Sequence, residues 1–245
     1  MRPVLFSWRG RVIWSYPAML YLGLVAGIIA GNMAAHAAGV DPLRVYIATL
    51  LLVIVALAGA RLQFVIINWQ LYRGSGRRVW NSRDRGVSMY GGLPLALAAS
   101  IPLLYALRLN FGAFWDVAIF TILVGMIFTR VGCVLNGCCA GRPTETWFSL
   151  YLPNLRGVWQ NRIPTQFLEA ICATVLLILA LAIRQRVPFP GALFLLVAGG
   201  YAAARFLMEF MRERNPGASG LSWNHRISLV TLISSVSVLA ILWRK

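Results

Sequence analysis

The sequence predicts an all-α polytopic membrane protein, a single-domain bundle of about seven transmembrane helices with short loops. Two observations predict it. Of the 245 residues, 59% are apolar and only 12% charged, with a mean hydropathy of +0.72. A soluble domain carries about a quarter charged residues, so lipid rather than water is the main solvent here. The apolar residues also fall into seven runs near the roughly 20 residues that a helix needs to cross the hydrocarbon. A spanning segment must satisfy its backbone polar groups internally, which makes each run a helix.

In order, the expected helices are Ser15–Ala35, Leu43–Trp69, Gly92–Leu107, Phe114–Leu135, Thr165–Ile183, Gly191–Met211 and Arg226–Trp243. Turn residues separate them: Asp41-Pro42, the arginine-rich stretch 73–85, Pro188 with Pro190, and Asn215-Pro216-Gly217. The first run follows Arg2, Arg9 and Arg11, as a signal peptide would, and Ala35-His36-Ala37 resembles a cleavage site. Its length from Val12 to Ala30 exceeds the roughly 7–15 residues of a secretory core, so it reads as a retained first helix. No internal repeat and no long linker divides the chain.

The net charge is +16, and 22 of the 23 basic residues are arginine. They sit mostly in short loops, without a nucleic-acid-binding signature, so anionic lipid headgroups are the natural partner. Seven helices put the N-terminus and the loops 71–91, 137–164 and 212–225 on one side, where most arginines fall. A positive-inside count would make that side cytoplasmic. That rule assumes topogenic charges, and several of these look functional, so orientation stays open.

Charged side chains inside spanning segments cost at least a few kcal/mol and need a partner or a task. Tyr201, Arg205, Glu209 and Arg212 are spaced by four, four and three, on one helix face. Arg205 and Glu209 either neutralise each other or hold an anion, with Glu209 fixing the arginine; the planar guanidinium fork suits phosphate. The fourth run ends in Arg130-Val-Gly-Cys-Val-Leu-Asn136-Gly-Cys-Cys-Ala-Gly141-Arg142, where glycines let backbone approach a ligand. The plain alternative is a snorkelling arginine and a helix stop at Gly137. Pro164-Thr165-Gln166 opens the fifth run, and Glu169 within it is either an arginine partner or a proton carrier. Tyr90-Gly91-Gly92-Leu93 precedes the third run, with Tyr90 a packing residue, a hydrogen-bond donor or a base. His36 and His225 read as surface loop residues.

Of four cysteines, Cys172 lies in an apolar run as an inert buried thiol, and Cys133, Cys138 and Cys139 crowd one helix end. Their CxxxxCC spacing without a nearby histidine is a poor zinc pattern, so no metal is expected. There is no dinucleotide-binding glycine pattern and no P-loop, so no cofactor is expected.

These residues together resemble the prolipoprotein diacylglyceryl transferase family over nearly the whole chain. The resemblance rests on Tyr16, on Arg61 in Gly-Ala-Arg, and on Ser88-Met-Tyr90-Gly91-Gly92-Leu93. It rests most on Arg130-x-Gly132-x-x-x-Asn136-Gly137-x-x-x-Gly141-Arg142, followed by Pro164-Thr-Gln166-x-x-Glu169 and Tyr201-x-x-x-Arg205-x-x-x-Glu209-Phe210-x-Arg212. It implies an inner-membrane enzyme that moves the diacylglyceryl group of phosphatidylglycerol to the lipobox cysteine thiol of a prolipoprotein, releasing glycerol phosphate. It further implies that Arg130, Arg205, Tyr90, Glu169 and Glu209 serve catalysis. Tyr16, Arg61, Gly91, Gly92, Asn136, Gly141, Arg142, Gln166, Tyr201 and Arg212 would bind substrate, at a site facing the periplasm. The chain departs from the family's pattern at Tyr90, where a histidine is usual, at Cys133, where asparagine is usual, and at Cys138, where an acid is usual. Those changes leave two alternatives open: a lipid transferase with another acceptor, or a non-catalytic lipid-binding or transport protein.

Overall fold

In the computed structural model, residues 4–8, 11–72, 89–154, 157–213 and 220–244 are described. A short antiparallel hairpin, β1 (Val4–Trp8) and β2 (Arg11–Trp14), leads into α1 (Ser15–Ala37). Then come α2 (Pro42–Ile67), a single turn α3 (Trp69–Tyr72), α4 (Met89–Ala106) and α5 (Phe111–Asn136). A second antiparallel hairpin, β3 (Leu150–Pro153) and β4 (Trp159–Arg162), precedes α6 (Thr165–Ile183), α7 (Ala192–Glu209) and α8 (Trp223–Trp243).

All seven apolar runs are therefore helices, and the protein is an all-α polytopic membrane protein with two small hairpins at its loops. Six helices are long and apolar enough to cross a membrane. In α4 the apolar stretch is the shorter Gly92–Ala106, interrupted by Pro94 and Pro102, each of which removes one backbone donor from the helix. The hairpins went unforeseen because four- and five-residue strands beside long apolar helices leave little periodic signal.

The chain falls into two compact units, residues 35–114 and the remainder. In the first, α2 packs along α4. Asp41 caps α2 by accepting from the Leu43 and Arg44 amides at 3.0 and 3.2 Å, with Pro42 at the first helical position, where its missing N–H costs nothing. Gly92 lies against the Ala56 carbonyl: a Cβ there would stand 2.8 Å from that oxygen.

The second unit holds α5 to α8 and most of α1. Gly23, Gly27 and Gly31, one turn apart, form the face of α1 that meets α5. A Cβ on Gly27 would come within 2.6 Å of the Thr121 carbonyl oxygen. Small residues at four-residue spacing let two helix backbones meet where lipid supplies no hydrophobic drive. Helix α7 pairs with α6 and with α8. Its N-terminus receives a carboxylate from elsewhere: Asp116 of α5 accepts from the Gly191 amide at 2.6 Å and the Phe194 amide at 2.9 Å. This satisfies two orphan donors and places negative charge at the positive end of the helix dipole.

Helix α8 is turned inside out relative to a soluble helix. Its buried residues are His225, Ser228 and Ser235, whereas Val230, Ile233, Val236 and Ile241 are exposed. In a membrane that outward face meets acyl chains, and the small polar face packs on protein.

Candidate active site

The site grows from the ends of α5, α6 and α7. Arg130 lies near the C-terminal end of α5. Helix α5 then ends in a Schellman cap: Gly137, with φ +68°, donates its N–H to the Val134 carbonyl, and Cys138 donates to the Cys133 carbonyl. The chain runs on through Cys139 to Gly141, where it is pinned from two sides. The Gly141 amide donates to the Ile163 carbonyl at 2.8 Å, and the Arg142 amide donates to the Met211 carbonyl at 2.9 Å. A Cβ on Gly141 would lie 2.7 Å from the Met211 oxygen and 2.8 Å from the Ile163 oxygen, so no larger residue fits.

The first turn of α6 clamps this loop. Thr165 Oγ1 donates to the Cys139 carbonyl and Gln166 Nε2 to the Cys138 carbonyl, each at 2.7 Å. One turn further along the same face stands Glu169, with none of its surface exposed.

Glu169 is shared by three arginines. Arg130 Nη2 lies 2.5 Å from Oε2, Arg212 Nη2 lies 3.0 Å from Oε1, and Arg205 Nη1 lies 3.5 Å from Oε1. Arg205 Nη2 also pairs with Glu209 Oε2 at 3.1 Å, across one turn of α7. The second Glu209 oxygen accepts from Ser222 Oγ at 2.9 Å and Asn224 Nδ2 at 2.8 Å. Ser222 is the N-cap of α8 and lies 2.9 Å from His225 Nδ1; the His225 ring meets the Phe206 and Phe210 rings edge-on.

Among the described residues, three guanidinium groups thus converge on two carboxylates. The Nε atoms of Arg130 and Arg212 are buried donors with no hydrogen-bond acceptor among the described residues. Buried charge of one sign with donors to spare is a site for an anion, since removal from water strengthens its attraction for a ligand of opposite sign.

The expected residues distribute as follows. Arg130, Glu169, Arg205, Glu209 and Arg212 form the cluster itself, and Tyr201 lies within electrostatic range of Arg130. Tyr16 packs beside Gly132 and is within range of Arg130 and the three cysteines. Asn136 reaches the Cys138 sulfur. Gln166 and Gly141 shape the loop. The Arg142 side chain is exposed, and the residue's contribution to the cluster is its backbone. Arg61 and Gly92 belong to the other unit, where the Arg61 guanidinium lies over the Phe64 and Tyr72 rings. Tyr90 and Gly91 fall in the first turn of α4, with their side chains outside the described residues. Glu169, open between arginine partner and proton carrier, is the arginines' partner. Arg205 and Glu209 do pair, and Arg205 reaches Glu169 as well.

One expectation is corrected. His225 is in the first turn of α8 and fully buried, not on a surface loop, because Trp223–Trp243 starts three residues before the apolar run. His36 is exposed as expected, but in the last turn of α1. Arg162 was missed: it is 1% exposed and donates to the Gly141 carbonyl, to Gln160 and to Glu213, tying the β3–β4 hairpin to the site loop. An arginine in a polar loop carries no sequence signal for such burial.

At Cys139, hydrogen bonds from the Cys133 and Cys138 thiols, aided by the charges of Arg212 and Arg130, pull the thiol well below its ordinary range against the cost of burial.

A multi-helix membrane protein with a buried cationic cluster at its helix ends defines a class: membrane enzymes that handle anionic lipid. The sequence profile of the prolipoprotein diacylglyceryl transferase family matches residues 3–243, and the chain belongs to that family of transferases. A phosphatidylglycerol–prolipoprotein diacylglyceryl transferase of Dehalococcoides mccartyi (strain CBDB1) is 30% identical over 251 residues, covering 99% of this chain and 94% of the relative. Its counterpart in Clostridium tetani is 27% identical over 243 residues, covering 97% and 96%.

Proposed function

We propose that this protein, as a single functional domain in the bacterial cytoplasmic membrane, transfers the diacylglyceryl group of phosphatidylglycerol to the lipobox cysteine of prolipoproteins. The observation that carries the reading is the convergence of Arg130, Arg205 and Arg212 on Glu169 and Glu209. The acceptor thiolate attacks the glyceryl carbon bonded to the phosphate oxygen. A carbon–sulfur bond forms, the carbon–oxygen bond breaks, and glycerol phosphate leaves with the electron pair. The thiol proton passes to a base.

In this reading Arg130 and Arg205 hold the phosphate and stabilise the charge that develops on it, where fixed donors act most strongly. Glu169 and Glu209 hold the guanidinium groups in register before substrate arrives, with Gln166, Gly141 and Arg142 backbone keeping the loop in place. Tyr16, Tyr201, Asn136 and Arg61 complete the substrate contacts. Tyr90 stands where the family has histidine and takes the base's position beside Gly91 and Gly92. A phenol of pKa about 10 is a weak base at neutral pH, so its contribution is the step most open to test.

The test is an assay of purified protein with phosphatidylglycerol vesicles and a lipobox peptide, reading peptide mass and released glycerol phosphate. A diacylglyceryl mass gain that falls at least ~100-fold in Arg130→Ala supports the proposal. Release of glycerol phosphate with an unmodified peptide shows a different acceptor, a reading favoured by Cys133 and Cys138 at usually polar positions. Absence of both products from folded protein overturns the enzymatic reading.

A further inference from the structure

Cys133, Cys138 and Cys139 take no part in the reaction proposed above, and their arrangement has a geometry of its own. Their three sulfur atoms all lie within 4.8 Å of one another, and Cys138 Sγ and Cys139 Sγ are 3.8 Å apart. Among the described residues this is the only such group of three potential ligands.

The fold explains why a spacing that reads poorly in one dimension converges in three. In a Schellman cap the residue two beyond the helix end packs its side chain on the residue three before it. Here those two positions are Cys138 and Cys133, and the cap that joins them is present: Cys138 N donates to the Cys133 carbonyl at 3.1 Å. Cys139 is then turned back toward them by a left-handed backbone, φ +67°, a conformation that non-glycine residues rarely adopt. The hydrogen bonds from Thr165 and Gln166 to the Cys139 and Cys138 carbonyls hold that conformation. The three thiols are therefore held together from outside the loop that carries them.

We propose that Cys133, Cys138 and Cys139 form a three-sulfur binding site for a thiophilic divalent cation such as Zn²⁺. Sulfurs bonded to zinc at about 2.3 Å in a tetrahedron stand roughly 3.8 Å apart, a span this triangle meets with small rotations. Two of the cysteines are buried and Cys139 is half-buried, which leaves one side for a fourth ligand. Arg130 Nη1 approaches Cys133 Sγ at 3.8 Å. On binding, three sulfur–metal bonds form and the protons still held by the thiols pass to solvent.

The inference stands independently of the transferase reading, because its test reads metal directly. The full-length protein in detergent is reduced, stripped with a chelator, and titrated with Zn²⁺, with bound metal counted after dialysis. A parallel titration with Cd²⁺ follows the thiolate-to-metal charge-transfer band in the ultraviolet. One ion per chain is expected, with stoichiometric binding lost in Cys133→Ser, Cys138→Ser and Cys139→Ser and kept in Cys172→Ser. Cys139→His separates a lost ligand from a lost fold: histidine both ligates zinc and tolerates the left-handed backbone, so Zn²⁺ binding returns. Failure of the reduced protein to bind Zn²⁺ or Cd²⁺ stoichiometrically overturns the proposal. So does binding that survives all three serine substitutions.

Discussion

Glu169 does for the arginines what no pairwise contact does: one fully buried carboxylate sits between three guanidinium groups that would otherwise repel. Removing its charge takes from Arg130 and Arg212 the carboxylate they share and leaves Arg205 to Glu209. Glu169→Gln is expected to destabilise the protein by about 3–5 kcal/mol, the usual cost of breaking a buried ion pair, and thermal unfolding in detergent checks it. Arg205 and Arg212 differ in role. Arg205, held by Glu209 and Glu169 together, is fixed in position, and Arg205→Lys, which keeps the charge but loses the fork, is expected to lower turnover at least ~10-fold. A variant with wild-type turnover would remove the planar fork from the argument. His225 supports Ser222, which supports Glu209. His225→Ala is therefore expected to lower stability by about 1–3 kcal/mol, with the pH profile of kcat unchanged. A shifted profile would instead mark His225 as part of the proton path.

The elements meet through a few local devices. Asp116 on α5 caps α7, the helix that carries Arg205 and Glu209, and so sets where that helix begins. Asp116→Ala leaves two amides without their acceptor and is expected to cost about 1–2 kcal/mol, read as a lower melting temperature. Gly27 sets how closely α1 approaches α5: Gly27→Leu would drive a side chain into the Thr121 carbonyl. Loss of folded protein is expected, against little change for a leucine at an exposed α1 position such as Val25. The Asp116 cap was not legible beforehand. Asp116 and Gly191 are 75 residues apart, so their pairing leaves no trace in local pattern.

For the whole molecule, if the shorter α4 crosses with the six long helices, the residue before Ser15 and the residue after Trp243 lie on opposite sides of the membrane. Reporter tags at those two positions are expected to give opposite accessibility; matching accessibility would mean that the short α4 does not cross. Buried arginines such as Arg130, Arg162 and Arg205 serve ion pairs rather than topology. A count that includes such arginines is therefore no measure of orientation, because the rule holds for charges left in water.

What the sequence determined by itself was the solvent and the helices. Seven apolar runs in lipid admit one backbone solution, so their number and approximate limits followed directly from composition. It also named Arg130, Glu169, Arg205, Glu209 and Arg212, because a charge in an apolar run is conspicuous wherever it falls. What only the tertiary structure decided was who pairs with whom. Glu169 could have met any arginine, His225 could have faced water, and three cysteines at an unpromising spacing could have pointed apart. Each outcome depends on helix ends brought together from distant parts of the chain, and on a cap geometry that turns five residues of separation into contact.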